Sequence, residues 1–112
     1  MKDMMSFEGY LGSVHYSGDD EVFYGKVEFI RSLISYEGTD VQSLRRAFEE
    51  GVADYLAQCE REGREPEQPF KGSFNIRTGS ELHRRAALHA REKGMNLNRL
   101  VSEALEAYLS RS

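Results

Sequence analysis

The sequence is poor in cysteine and has no long apolar run, the two features that would indicate disulfide bonds or a membrane span. Cys59 is the single cysteine among 112 residues, so a disulfide framework and a multi-cysteine metal site are both excluded. No run of about 18 apolar residues is present, and the N-terminal stretch lacks the apolar core of a signal peptide. The length fits one or two small units and is too short for a large buried active site. We therefore expect a cytoplasmic protein of the bacterial type, without a membrane span.

Proline is also scarce, and both prolines lie in one polar stretch, residues 64–69, that we interpret as a linker. The charge changes sign across it. Residues 1–69 contain 7 Lys/Arg against 15 Asp/Glu, a net charge of −8, whereas residues 70–112 contain 8 against 4, a net charge of +4. Opposed halves suggest partners of opposite charge, nucleic acid for the basic half and a basic protein for the acidic half, although small domains also vary in charge by chance.

Residues 1–63 are predicted to form a β-α domain. Residues 7–16 and 22–29 are rich in Val, Tyr and Phe, and turn residues such as Gly and Asp separate them. Residues 33–37 form a short third β-prone stretch. This composition indicates a three-stranded antiparallel sheet.

A helix is predicted to follow the third strand. Thr39 and Gln42 fit a capping box at its start, and Gly63 is a stop signal at its end. Apolar residues recur at steps of three and four, which predicts one buried face. That face consists of Val41, Leu44, Phe48, Val52, Tyr55 and Cys59.

The spacing of apolar residues changes again in residues 70–112. Residues 70–77 alternate as a strand, with one side made by Phe70, Gly72, Phe74 and Ile76 and the other by Lys71, Ser73, Asn75 and Arg77. Two short helices should follow. The first opens on a capping box of Thr78 and Glu81, runs to Lys93 with Leu82, Ala86 and Ala90 inward, and stops at Gly94; the second is capped by Asn96, with Leu97, Leu100, Val101, Ala104, Leu105 and Tyr108 on its apolar face.

One strand and two short helices are too few to bury their own apolar surface, so this tail should dimerise. In a two-fold dimer the strands pair antiparallel and the four helices share one core. The paired strands form a ribbon that fits the DNA major groove, where Asn pairs with adenine and Arg with guanine. Backbone N–H groups at the start of the last helix can hold a phosphate. The predicted DNA-binding residues are Lys71, Ser73, Asn75, Arg77, Asn96, Leu97 and Asn98; the alternative is an ordinary exposed edge strand.

The tail resembles the Arc/MetJ ribbon-helix-helix repressors. The resemblance rests on Phe74-Asn75-Ile76-Arg77, a helix ending at Gly94, and Asn96-Leu97-Asn98 opening a second helix. It implies that Ser73, Asn75 and Arg77 read bases, that Ile76 is core, and that the Asn96 end anchors phosphate. Gly79 departs from the family, which often has proline there.

The whole chain resembles the HicB family of antitoxins. The resemblance rests on three blocks before the tail, Glu8-Gly9-Tyr10-Leu11-Gly12-Ser13-Val14, Val22-Phe23-Tyr24-Gly25-Lys26-Val27 and Tyr36-Glu37-Gly38-Thr39, together with the strand from Phe70 to Arg77. It implies that residues 1–63 form a small β-α domain like a truncated ribonuclease H or a double-stranded-RNA-binding domain. It also implies that this domain binds a HicA toxin, a small basic ribonuclease that cleaves mRNA.

Other sites are weaker. Three adjacent acids, Asp19-Asp20-Glu21, diverge in a turn, and His15, His83 and His89 lack ligand neighbours at metal-binding spacing, so we expect no metal, no cofactor and no enzyme activity. Tyr10, Tyr16 and Tyr24 either anchor an interface or pack on the helix.

Taken together, the residues and the resemblance predict an α+β antitoxin that neutralises a HicA-type ribonuclease and represses its own operon. We expect it to be a homodimer on operator DNA, with a tetramer as the alternative and the toxin-contact residues unassigned. The alternatives are a stand-alone ribbon-helix-helix regulator, whose first domain senses a ligand or only oligomerises, and a residual nuclease.

Overall fold

The computed structural model describes residues 3–111, and the chain divides into two compact units, Met1–Ser73 and Phe74–Ser112. The first unit is an antiparallel sheet with one helix: β1 (Met4–Phe7), β2 (Tyr10–Ser13), β3 (His15–Ser17), β4 (Val22–Glu28), β5 (Ser35–Gly38) and α1 (Val41–Glu62). The second unit contains α2 (Ser80–Glu92) and α3 (Leu97–Ser110). The predicted α+β class is confirmed. Within the described residues, no helix combines the length and apolar character needed to cross a membrane.

The sheet has five strands where the sequence predicted three, because the first predicted strand, residues 7–16, extends over parts of β1, β2 and β3. Glu8 and Gly9 both adopt left-handed backbone, with φ of 52° and 83°, and Phe7 pairs with Tyr10 across them. Two consecutive positive φ values make the hairpin turn whose twist matches that of antiparallel strands. β2 and β3 then pair with β4 in a single register, and β5 pairs with the opposite edge of β4.

α1 begins one position after the predicted capping box. Asp40 is the N-cap: its Oδ1 accepts a hydrogen bond from the Ser43 N–H at 2.7 Å, and its own N–H donates to the Ser43 hydroxyl at 3.2 Å. The predicted pair Thr39 and Gln42 is therefore wrong, since Asp and Ser make the same reciprocal exchange one residue later. Gly63 ends the helix as predicted, in left-handed backbone with φ of 68°.

The core of the first unit lies between α1 and the inner face of the sheet. The predicted helix face is buried from Leu44 to Cys59, whereas its first member, Val41, is 64% exposed. Tyr36 of β5 packs its ring 5.3 Å from that of Phe48, and its hydroxyl donates to the Ser13 carbonyl at 2.8 Å. Burial raises the pKa of Tyr36 to about 12. The Tyr36 ring therefore joins the helix to two strands of the sheet.

Two glycines make room for the Tyr36 side chain on the inner face. A Cβ on Gly12 would overlap the Tyr36 hydroxyl and lie 2.7 Å from the Phe48 ring. A Cβ on Gly25 would overlap the Ser13 carbonyl oxygen. Glycine is needed at both positions because other backbone or side-chain atoms already occupy the space of a methyl group.

The second unit is a helical hairpin. Gly94 takes a φ of 67° after α2, and the Met95 N–H donates to the Ala90 carbonyl at 2.9 Å, which closes the end of the helix. Asn96 caps α3 as predicted, with Oδ1 accepting from the Arg99 N–H at 2.7 Å. The start of α2 differs from the prediction. Its N-cap is Gly79, which offers no side-chain acceptor, so the predicted capping box of Thr78 and Glu81 is wrong.

Candidate functional site

The second unit leaves most of its apolar surface exposed. Ala90 is 3% exposed and is the one buried hydrophobic residue of this unit among those that the structure describes. Leu97, Leu100 and Val101 are half-buried. The larger side chains are exposed by 41–74%: Phe74, Ile76, Leu82, Leu88, Leu105, Tyr108 and Leu109. An exposed apolar set of this size on so small a unit is typical of a surface that another chain covers.

Residues 70–77, predicted to be a strand, form no strand in the single chain. Gly72 has a φ of 98°, outside the extended region, and residues 70–77 are all exposed. A strand without a neighbour has no ladder of hydrogen bonds to hold it, which explains the difference from the prediction. Pairing of this stretch with a second copy stays a prediction.

The structure places the predicted DNA-binding residues on exposed backbone and at one helix end. Lys71 and Ser73 are exposed within the first unit, and Asn75 and Arg77 are exposed within the second, because the boundary falls after Ser73. That these four side chains share one side of a ribbon stays a prediction.

The remaining predicted DNA-binding residues lie at the N-terminus of α3. Asn96 and Asn98 are exposed, and Leu97 is half-buried. The Asn96 side chain engages the Arg99 N–H. The N–H groups that precede it have no partner within the helix, and the helix dipole favours an anion beside them.

Glu67, in the stretch interpreted as a linker, is bonded to three parts of the first unit. Its backbone N–H donates to the Tyr55 hydroxyl at 2.9 Å, and its carbonyl accepts from the Tyr10 hydroxyl at 2.6 Å. Its carboxylate accepts from the backbone N–H groups of Arg31 at 2.8 Å and Ser32 at 2.9 Å. A hydrogen bond from the Ser32 hydroxyl to the carboxylate, together with those from the N–H groups of Arg31 and Ser32, holds the pKa of Glu67 below its ordinary value.

The sequence interpretation missed this attachment. Pro66 and Pro69 lie on either side of Glu67, and proline and glutamate are both common in interdomain linkers. Composition alone therefore predicts a linker without contacts to the first unit. The contacts continue at Phe70, whose ring lies 5.1 Å from that of Phe29. Phe29 itself has a φ of 66°, an uncommon value for a bulky residue. The stretch 64–70 therefore packs as part of the first unit.

The structure also places the acidic turn and the cysteine considered in the sequence analysis. The turn of Asp19, Asp20 and Glu21 is exposed, and no group of three or more His, Cys, Asp or Glu side chains in residues 3–111 is arranged to hold a metal ion. Cys59 is buried, as predicted.

Of the three tyrosines considered as interface anchors, one belongs to the core. Tyr10 is 4% exposed, whereas Tyr16 and Tyr24 are 58% and 44% exposed. The Tyr16 ring lies 5.1 Å from that of Phe23, which packs against the core, so Tyr16 is on the same side of the sheet as α1. Tyr24 is on the face of the sheet turned away from α1.

Comparison with family models found one match. Residues 55–105 match the model of the HicB family, from the last two turns of α1 to the middle of α3. Comparison with the curated proteins and with the solved structures found no match. The chain is therefore similar to the HicB family over slightly less than half of its length. The match includes Glu67 and the tail as far as Leu105, and residues 1–54 and 106–112 lie outside it.

Proposed function

We propose that this protein is the antitoxin of a type II toxin-antitoxin pair. In this proposal it is no enzyme, and it acts in the cytoplasm. The first unit neutralises a basic HicA-type ribonuclease by covering its RNA-binding surface. The second unit dimerises as a ribbon-helix-helix and represses the operon.

The exposed apolar surface of the second unit, most of which lies within the residues matched by the family model, is the observation that carries this proposal. The chain alone leaves Ile76 and Leu82 half-exposed or more, and pairing with a second copy would cover both. The ribbon formed in that way presents Ser73, Asn75 and Arg77 to bases and Lys71 to phosphate. Two copies then match two half-sites of operator DNA.

Charge supports the role of the first unit. With a net charge of −8, residues 1–69 repel nucleic acid and attract a protein whose surface is built for RNA phosphates. Opposite potentials speed association, and apolar contacts hold the complex. Dimerisation, or further association into a tetramer, brings several inhibitor domains to one toxin-bound assembly.

The test is co-expression with the product of the adjacent gene, which we expect to be a small basic protein. We expect that protein alone to arrest growth, and this chain to restore growth and copurify with it. Arg77→Ala should restore growth equally while losing repression of a reporter driven by the operon promoter. An adjacent gene product that is harmless, or that does not bind, would favour the stand-alone regulator instead. Hydrolysis of RNA by the purified chain with magnesium would contradict the non-enzymatic role.

A further inference from the structure

The face of the sheet turned away from α1 has exposed side chains at successive outward positions. Along β4 burial alternates, with Gly25 and Val27 buried on the inner side and Tyr24 and Lys26 exposed on the outer. In β5, Glu37 is exposed beside buried Tyr36. The outer face is therefore a surface that the first unit leaves open.

A groove of about 620 Å³ lies on this face. Its lining includes Ser17, Asp20, Val22, Tyr24, Ser35 and Glu37. Tyr24 and Glu37 are directly opposite each other in the pairing of β4 with β5. On the other side of Tyr24, the ring of His15 lies 5.1 Å away at an angle of 34°. The Tyr24 ring therefore has the His15 ring on one side and Glu37 on the other.

The second carboxylate of the groove is held in place by the β3–β4 turn. The Asp20 N–H donates to the Ser17 hydroxyl at 3.3 Å, and that hydroxyl lies 3.5 Å from Asp20 Oδ2. The lining residues, all within the described part of the chain, include two acids and neither Lys nor Arg. Lys26, the next outward residue of β4, is outside the lining. The groove is therefore acidic and partly aromatic.

We propose that this groove receives an arginine side chain of a basic protein partner. A guanidinium group stacks flat on a tyrosine ring and donates hydrogen bonds to carboxylates at the same time, which matches Tyr24 with Glu37 and Asp20. The negative charge of residues 1–69 favours a basic protein and disfavours nucleic acid. The inference deepens the proposed function, on which the identity of the partner as the toxin rests.

The first test uses a probe that does not depend on the toxin. Blocked arginine (N-acetyl-arginine amide) is titrated into the ¹⁵N-labelled full chain, with blocked citrulline as the neutral control of the same shape. We expect saturable shifts confined to the groove with arginine and none with citrulline. Tyr24→Leu and Glu37→Gln should each weaken the arginine affinity by about two- to fivefold. Glu50→Gln, at an exposed position of α1, should leave it unchanged.

Shifts spread over the whole first unit, or equal shifts with citrulline, would overturn the groove assignment. So would a wild-type affinity in both groove variants. Tyr24 and Glu37 are exposed, and thermal melts of both variants establish that a lost response is not a lost fold.

The second test separates this inference from the proposed function. If the adjacent-gene protein binds the wild type and both groove variants with one affinity, the groove is not its contact and the antitoxin role stands. If that protein does not bind at all while the arginine response is localised, the groove stands and the toxin partner is wrong. If both groove variants bind the adjacent-gene protein more weakly and Glu50→Gln does not, the groove contact and the antitoxin role are both supported.

Discussion

Glu67 accepts two hydrogen bonds from one residue, Ser32: one from its backbone N–H at 2.9 Å and one from its hydroxyl. The two residues are 35 positions apart, so this contact joins the loop between β4 and β5 to the stretch that follows α1. A carboxylate that accepts from a backbone N–H and a hydroxyl together is strongly preferred in its charged form. The relationship makes the Glu67 segment a structural part of the acidic unit.

Glu67→Ala should destabilise the first unit. The substitution leaves the N–H groups of Arg31 and Ser32 without their acceptor, and we expect a loss of about 1–2 kcal/mol, toward the lower end for charged hydrogen bonds because the side chain is 29% exposed. Urea unfolding measures the change. Glu65→Ala, two residues earlier and exposed, is the matched control and should stay within about 0.5 kcal/mol of wild type. Equal losses in the two variants would contradict a specific role for Glu67.

Stability should fall with acidification in a way that depends on Glu67. Its folded pKa lies below the ordinary value of 4.5, so its contribution is present above that pH and is lost as the pH falls through the lower folded pKa. Urea midpoints between pH 7 and pH 3 measure this loss. Glutamine does not titrate, so Glu67→Gln should show a shallower decline than wild type below about pH 4.5. Parallel curves would exclude Glu67 as a contributor to the acid sensitivity.

Gly12→Ala should damage the core. The added methyl group would overlap the Tyr36 hydroxyl and press on the Phe48 ring, and overpacking of this kind costs about 1–3 kcal/mol or more. Gly18→Ala is the control, because a Cβ there meets nothing within 4 Å. Thermal melts of both variants compare the two positions. A Gly12→Ala protein as stable as wild type would show that Tyr36 can move aside without cost.

Ile76→Lys should abolish dimerisation and leave each unit folded. Ile76 is 51% exposed in the single chain, so a lysine there costs little until a second copy covers the position and buries an unpaired charge. Light scattering after size-exclusion chromatography measures the mass, and circular dichroism measures the helix content. A dimer of unchanged stability in this variant would remove Ile76 from the interface.

Arg77→Ala should weaken binding to operator DNA by about 1–3 kcal/mol, because the proposed pairing of Arg77 with guanine is lost. Lys71→Ala should lower affinity for operator and unrelated DNA alike and reduce the salt dependence, because a phosphate contact carries no sequence information. Fluorescence anisotropy at two salt concentrations separates the two effects. Operator affinity that is unchanged in Arg77→Ala would remove the ribbon assignment.

Much of the fold follows from local pattern. The buried face of α1 was predictable from Leu44 to Cys59, because a helix with a single apolar stripe packs that stripe against the rest of the domain. Gly63, Gly94 and Asn96 were predictable as helix boundaries, since left-handed backbone and side-chain capping are properties of single residues. The caps of α1 and α2 were missed by one residue because Thr39 and Asp40, or Thr78 and Gly79, compete for the same position.

By itself, the sequence determined the α+β class, the core face of α1, the opposed charges of the two halves and the resemblance that suggests a toxin partner. Only the tertiary structure decided that Glu67 belongs to the first unit, that Tyr36 lies over Gly12 and Gly25, and that Tyr24 faces a groove with Glu37. The physical reason is distance along the chain. Periodicity and capping act within a few residues, whereas these contacts join residues 11 to 57 positions apart that meet only when the sheet and helix pack.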